Sequence, residues 1–212
     1  SRFSPDGEQG MPGELHVKVA YTLNLKNELT IEYTAVSDRP TPVNLTNHAY
    51  FNLKGYNGGT IYDQELQLDC SKFVEVSDKL IPTGKFLSVE ENPVFDFRKP
   101  KLLGKDIEKT GNGYDHAYCV DDFDGHLKKF AVLKDPESGR TMTVSTTLPG
   151  CQVYTGNWIE GSVGKNGFVH KRHGAVCLET ESYPDTPNHP EFPSCIVTPD
   201  KQYHEITVYK FD

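Results

Sequence analysis

No stretch of the 212 residues approaches the 18 or more apolar positions that a membrane-spanning helix needs, and no charged-then-apolar leader opens the chain. A cytoplasmic protein without membrane contact is the expectation. Cysteine is sparse and scattered: Cys70, Cys119, Cys151, Cys177 and Cys195 are five, at long irregular spacings with no CxxC. Neither a disulfide framework nor a thiolate zinc site is signalled, and the five read as reduced and mostly buried. Also missing are GxxxxGK[ST], GxGxxG after a strand and GxSxG, the usual local signals of nucleotide binding and serine-hydrolase chemistry. Basic residues are the minority, 22 against 30 acidic ones for a formal charge of -8, so a phosphate backbone is repelled and no nucleic acid partner is expected.

Helical periodicity is almost absent, apart from a turn or two expected at 101–108, while 18 Gly and 14 Pro punctuate the chain at short intervals. Alternation at period two takes its place. Leu15, Val17, Val19 and Tyr21 alternate, Leu29, Ile31 and Tyr33 repeat the pattern, and the polar stretch between them predicts a hairpin. Segments 130–134 and 141–147 predict a second one around Asp135-Pro136-Glu137-Ser138-Gly139-Arg140, where Pro and Gly supply turn geometry. Further short runs at 66–70, 152–155, 175–179 and 205–209 read as strands, and loops 54–60 and 161–174 are the candidates for mobility. The fold class expected is all-β, a large antiparallel sandwich with little helix, in one domain over residues 1–212.

Three stretches concentrate chemistry-bearing side chains. Thr41 to Leu53, read as strand-like, holds three Asn, two Thr, a His and two aromatics. Buried amides and imidazoles cost about 1–3 kcal/mol each unless hydrogen-bonded, so this density suits a polar cleft; a surface strand with a satisfied His48 fits the same residues. In Ala175 to Glu181 the carboxylates of Glu179 and Glu181 stand two apart, on one side of an extended strand. Mutual repulsion and burial can poise one as a base, and ordinary solvated acids leaving a sheet would look alike. Gly111 to Tyr118 is a Gly-rich turn delivering Asp115 and His116, suited to sugar hydroxyls or to a simple Asp-capped turn. The His170-Lys171-Arg172-His173 run lacks a third ligand in fixed relation, so no metal is expected there. Tyr154, Trp158 and Phe168 suit flat amphipathic faces for a substrate or simple core, and each taken alone reads as core.

The ordered series Asn44-Leu45-Thr46-Asn47-His48-Ala49-Tyr50-Phe51-Asn52-Leu53, Ile81-Pro82-Thr83-Gly84, Phe95-Asp96-Phe97-Arg98, Gly113-Tyr114-Asp115-His116, Pro149 to Asn157 and Cys177-Leu178-Glu179-Thr180 closely resembles the aldose 1-epimerase (galactose mutarotase) family across the whole chain. The resemblance implies a β-sandwich of the galactose mutarotase type and interconversion of the α and β anomers of a free hexose, galactose or glucose, without cofactor or metal. It maps the catalytic base onto Glu179 and the general acid onto His48. Substrate binding falls to Asp115, with Asn47, Tyr50 and Gln152 as further contacts. The family's NRI-like and HGG-like motifs, which bring a binding Arg and a second His, do not occur in this chain. It also opens without Met at Ser1-Arg2-Phe3, which reads as mid-loop. The expectation is a chain lacking its N-terminal part, completed by an upstream segment or a second chain; a non-catalytic carbohydrate-binding module is the alternative.

Overall fold

The computed structural model describes residues 1–212. It contains no α-helix, only six short 3-10 segments, and therefore no helix long and apolar enough to cross a membrane.

Both predicted hairpins form. Leu15–Leu23 (β2) pairs antiparallel with Glu28–Ser37 (β3), and Lys128–Lys134 (β10) with Thr141–Thr146 (β11). Joined by Arg2–Ser4 (β1), Glu65–Leu68 (β5), Lys101–Leu102 (β8) and Tyr203–Phe211 (β15), they build an eight-stranded sheet in the order β1-β2-β3-β15-β11-β10-β5-β8. The chain start is thus an edge strand rather than the mid-loop expected, because Arg2, Phe3 and Ser4 pair with Val17, His16 and Leu15. A second, five-stranded sheet runs Cys177–Glu181 (β13), Gly150–Tyr154 (β12), Asp115–Cys119 (β9), Lys72–Val76 (β6) and Pro82–Ser88 (β7). Thr41–Pro42 (β4) and Ile196–Val197 (β14) make a small separate pair.

Two expectations need correction. The helical turns foreseen at 101–108 are β8 followed by 3-10 segments at Leu103–Lys105 and Ile107–Thr110. The segment from Thr41 to Leu53 is not a continuous strand, since only β4 and a single bridge from Phe51 to Val176 pair regularly. Its amides are spent elsewhere, on bonds described below.

The core lies between the sheets. Ile31, Tyr33, Leu66, Leu68, Leu133, Met142, Val144 and Tyr209 from the large sheet meet Phe73, Tyr118, Cys151, Val153 and Leu178 from the small one in one buried cluster. Alternation along β13 decides what remains outside: Leu178 and Thr180 point into this core, where Leu178 accepts a hydrogen bond from Tyr209 at its carbonyl and Thr180 meets the Thr207 hydroxyl. Cys177, Glu179 and Glu181 take the opposite face.

Candidate active site

That opposite face is a ladder whose columns follow from register. Glu179 lies across from Gln152, and Gln152 from Ala117; Cys177 lies across from Tyr154, and Tyr154 from Asp115; Glu181 lies across from Gly150, and Gly150 from Cys119. Residues directly opposite in neighbouring strands share a face, so Asp115, Gln152, Tyr154, Cys177, Glu179 and Glu181 all project to one side. Gln152 donates its amide to Asp115 Oδ1 at 2.6 Å, a link that fixes both side chains. Asp115 opens β9 because the turn before it is built around Gly113, at φ 102°. A Cβ on Gly113 would come within 2.1 Å of Asn157 Oδ1 and 2.8 Å of His173 Nε2, so only glycine fits between these two buried side chains.

The segment between Asn44 and Phe51 crosses over this face, pinned at both ends of β13. At one end the Asn44 amide imitates a strand residue, donating to the Ser182 carbonyl and accepting from the Ser182 N–H, both at 2.9 Å. At the other, Phe51 and Val176 exchange two backbone hydrogen bonds of 2.8 and 2.9 Å. The middle of the segment therefore falls over the middle of β13, and His48 Nε2 stands 3.5 Å from Glu179 Oε1. Tyr50 stacks on His48 with centroids 4.9 Å apart, and Tyr154 meets both rings edge-on at 5.9 and 6.2 Å. Half of the His48 side chain stays open to solvent, whereas Glu179 is only 7% exposed.

Electrostatics distinguish the carboxylates. Burial pushes the Glu179 carboxyl above its ordinary range; the His48 imidazole pulls it back and Asp115 adds a further push upward. Glu181 is pushed up to about 8, by burial first and then by Glu179 and Asp115. Its Oε1 is sealed without a hydrogen-bond partner, and it shares a cavity of about 300 Å³ with Asp115, Gln152, Val74 and Leu80. Burial and the same two carboxylates also raise the Cys177 thiol. The Cys177, His48 and Glu179 donor atoms, which could hold a metal ion, lie within 4.8 Å of one another.

Of the six expected site residues, Glu179, His48, Tyr50, Asp115 and Gln152 belong to this one group. Asn47 turns another way: its amide donates to the Tyr21 hydroxyl at 3.4 Å and accepts from the Ala49 N–H. Asn52 is structural too, spending its amide on Gln64, Lys54 and the carbonyls of Gly59 and Gly174. Trp158, expected in the core, is 70% exposed, because the turn after β12 carries it outward. With Tyr50, Tyr56, Ile159 and His170 it lines a cavity of about 530 Å³ adjoining the site. The loops at 54–60 and 161–174 meet across it, with Asn166 donating to the Tyr56 hydroxyl and Phe168 edge-on to Tyr56. Sequence reasoning missed the place of Cys177; its signal was the same two-residue spacing that put Glu181 beside Glu179.

Comparison with known proteins gives the following. The family model described as aldose 1-epimerase matches residues 1–210. Galactose mutarotase of Bos taurus is 45% identical over 214 residues, covering 100% of this chain and 61% of that protein. Aldose 1-epimerase of Haemophilus influenzae is 35% identical over 218 residues, covering 100% of this chain and 63% of that one. Among solved structures, an aldose epimerase homologue from C. elegans superposes with a TM-score of 0.89 at 29% identity, over 100% of this chain and 64% of its own. Galactose 1-epimerase from Lactobacillus acidophilus gives 0.84 at 26% identity, over 100% and 61%. The chain thus spans about three-fifths of the length of the relatives it matches.

Proposed function

The chain belongs to the aldose 1-epimerase family, and from that premise we propose that it carries the acid–base half of a mutarotase acting on free hexoses such as galactose and glucose. The observation that carries this reading is the 3.5 Å approach of His48 Nε2 to Glu179 Oε1. Mutarotation removes the proton of the anomeric hydroxyl and delivers one to the ring oxygen, and both oxygens are bonded to the same carbon. The base and the acid must therefore converge, as these two do. Glu179 takes the hydroxyl proton, the His48 imidazolium gives its proton to the ring oxygen, and the C1–O5 bond breaks to leave an open aldehyde. Rotation about C1–C2 presents the other face, and closure returns both protons with the roles reversed. The raised carboxyl makes Glu179 a stronger base than a solvated one.

Asp115, held by Gln152, offers acceptors to sugar hydroxyls, and Tyr50 offers an aromatic face. The remaining contacts, an Arg and a second His, belong to a segment outside these 212 residues. The compartment that suits this reading is the cytoplasm, in line with five free, buried cysteines.

Polarimetry on pure α-galactose tests the proposal. Glu179→Gln is expected to lower the rate by about 10²–10⁴-fold, the usual contribution of a positioned acid or base. An unchanged rate in that variant overturns the assignment of Glu179. Galactose binding by calorimetry with no acceleration over buffer would support the binding-module alternative instead.

A further inference from the structure

Strand alternation places Cys177 on the same face of β13 as Glu179, directly beside the acid–base pair. Its Sγ, a ring nitrogen of His48 and a carboxylate oxygen of Glu179 lie within 4.8 Å of one another, with 3.5 Å between the nitrogen and the oxygen. Around a tetrahedral zinc ion, with bonds of about 2.0–2.3 Å, neighbouring donor atoms stand about 3.3–3.7 Å apart. The imidazole–carboxylate edge is therefore already formed, and the sulfur needs to close by at most about 1.5 Å. One thiolate, one imidazole and one carboxylate make a mixed set that suits zinc and its neighbours; magnesium and calcium take oxygen donors alone.

The geometry points to an inhibitory site for a zinc-class divalent cation, held by His48, Cys177 and Glu179 with its fourth position open. Loading is a ligand exchange without redox change: the Cys177 S–H bond and the N–H bond of the ligating His48 nitrogen break, sulfur–metal and nitrogen–metal bonds form, and the protons held on that sulfur and nitrogen leave to solvent. The cation occupies the Glu179 oxygen and the His48 nitrogen that the proton transfers need, so the loaded protein cannot open the sugar ring. It is an inhibitor, distinct from the metal cofactor that the sequence gives no reason to expect. The inhibitory effect rests on the acid–base reading of His48 and Glu179; the binding site itself does not.

Cobalt(II), a spectroscopically visible substitute for zinc, separates the two. Titrated into the 212-residue chain, it is expected to give a thiolate-to-cobalt charge-transfer band and intense tetrahedral d–d bands that saturate at one equivalent, with protons released in weak buffer. One equivalent of zinc abolishes them. Cys177→Ser removes the charge-transfer band, and His48→Asn, at a half-exposed position that leaves the fold intact, weakens binding at least tenfold. Absence of the charge-transfer band at one equivalent, or unchanged affinity in His48→Asn, overturns the site. Zinc that binds as described yet leaves mutarotation of galactose at full rate overturns the inhibition.

Discussion

Glu181 is the side chain whose environment departs furthest from what a strand of alternating acids suggests. Its carboxyl is pushed up to about 8 from an ordinary 4.5, so folding takes up a proton between those values. Whatever stability the neutral form contributes is present in full below about pH 4.5 and is lost as pH rises through about 8, at up to about 1.4 kcal/mol per pH unit. Glu181→Gln keeps the shape and stays neutral. Denaturant unfolding of the two proteins should give similar stabilities near pH 4.5 and a gap favouring the variant by a few kcal/mol at pH 8. A gap that does not widen with pH contradicts the neutral acid. The sequence showed the two carboxylates on one side of a strand, which is a matter of period-two geometry alone. It could not show that one Glu181 oxygen is sealed without a hydrogen-bond partner, because that depends on Gly150 across the ladder and on what covers the cavity.

At the scale of elements, the segment from Asn44 to Phe51 acts as a strap over β13, and the Asn44 amide is its outer fastening. Asn44→Ala leaves the Ser182 N–H and carbonyl unpaired, at a cost of about 1–3 kcal/mol. The same change loosens the placement of His48, and a shift of about 1 Å costs on the order of a hundredfold in rate. The expected outcome is a large fall in kcat with a small change in KM, since the Asn44 amide is spent on Ser182; a loss of stability with kcat intact would show that the strap positions nothing. The hairpins were legible because their strands alternate and their turns carry Gly, Pro or Asn chemistry that needs no partner. The strap was not, because its Asn side chains replace backbone pairing, and an amide that mimics a strand edge leaves the same residues in the sequence as one that binds a ligand. Asn47 and Asn52 illustrate this: the first bonds to Tyr21, the second ties two loops, and neither is distinguishable by spacing from Asn44.

For the whole molecule, the open edge lies along β2. β1 covers only Leu15 to Val17, so the outer edge of β2 beyond them has no partner strand, and Tyr21 and Leu23 there are 61% and 72% exposed. Unpaired apolar edges recruit further strands. Light scattering on the 212-residue chain is expected to show self-association that Leu23→Lys reduces; a monodisperse monomer would contradict it. That the sandwich as a whole was readable follows from the spread of its evidence over every strand, whereas the site depends on three strands and a strap converging from distant parts of the chain. The most direct test of that convergence is the pH dependence of kcat/KM for galactose mutarotation in the protein and in His48→Asn. An acidic limb is expected, set by ionisation of Glu179 and displaced above the ordinary carboxylate range by its burial. His48→Asn should lower the plateau by about 10²–10⁴-fold; a plateau that survives this substitution unchanged would show that the proton reaches the ring oxygen from another group.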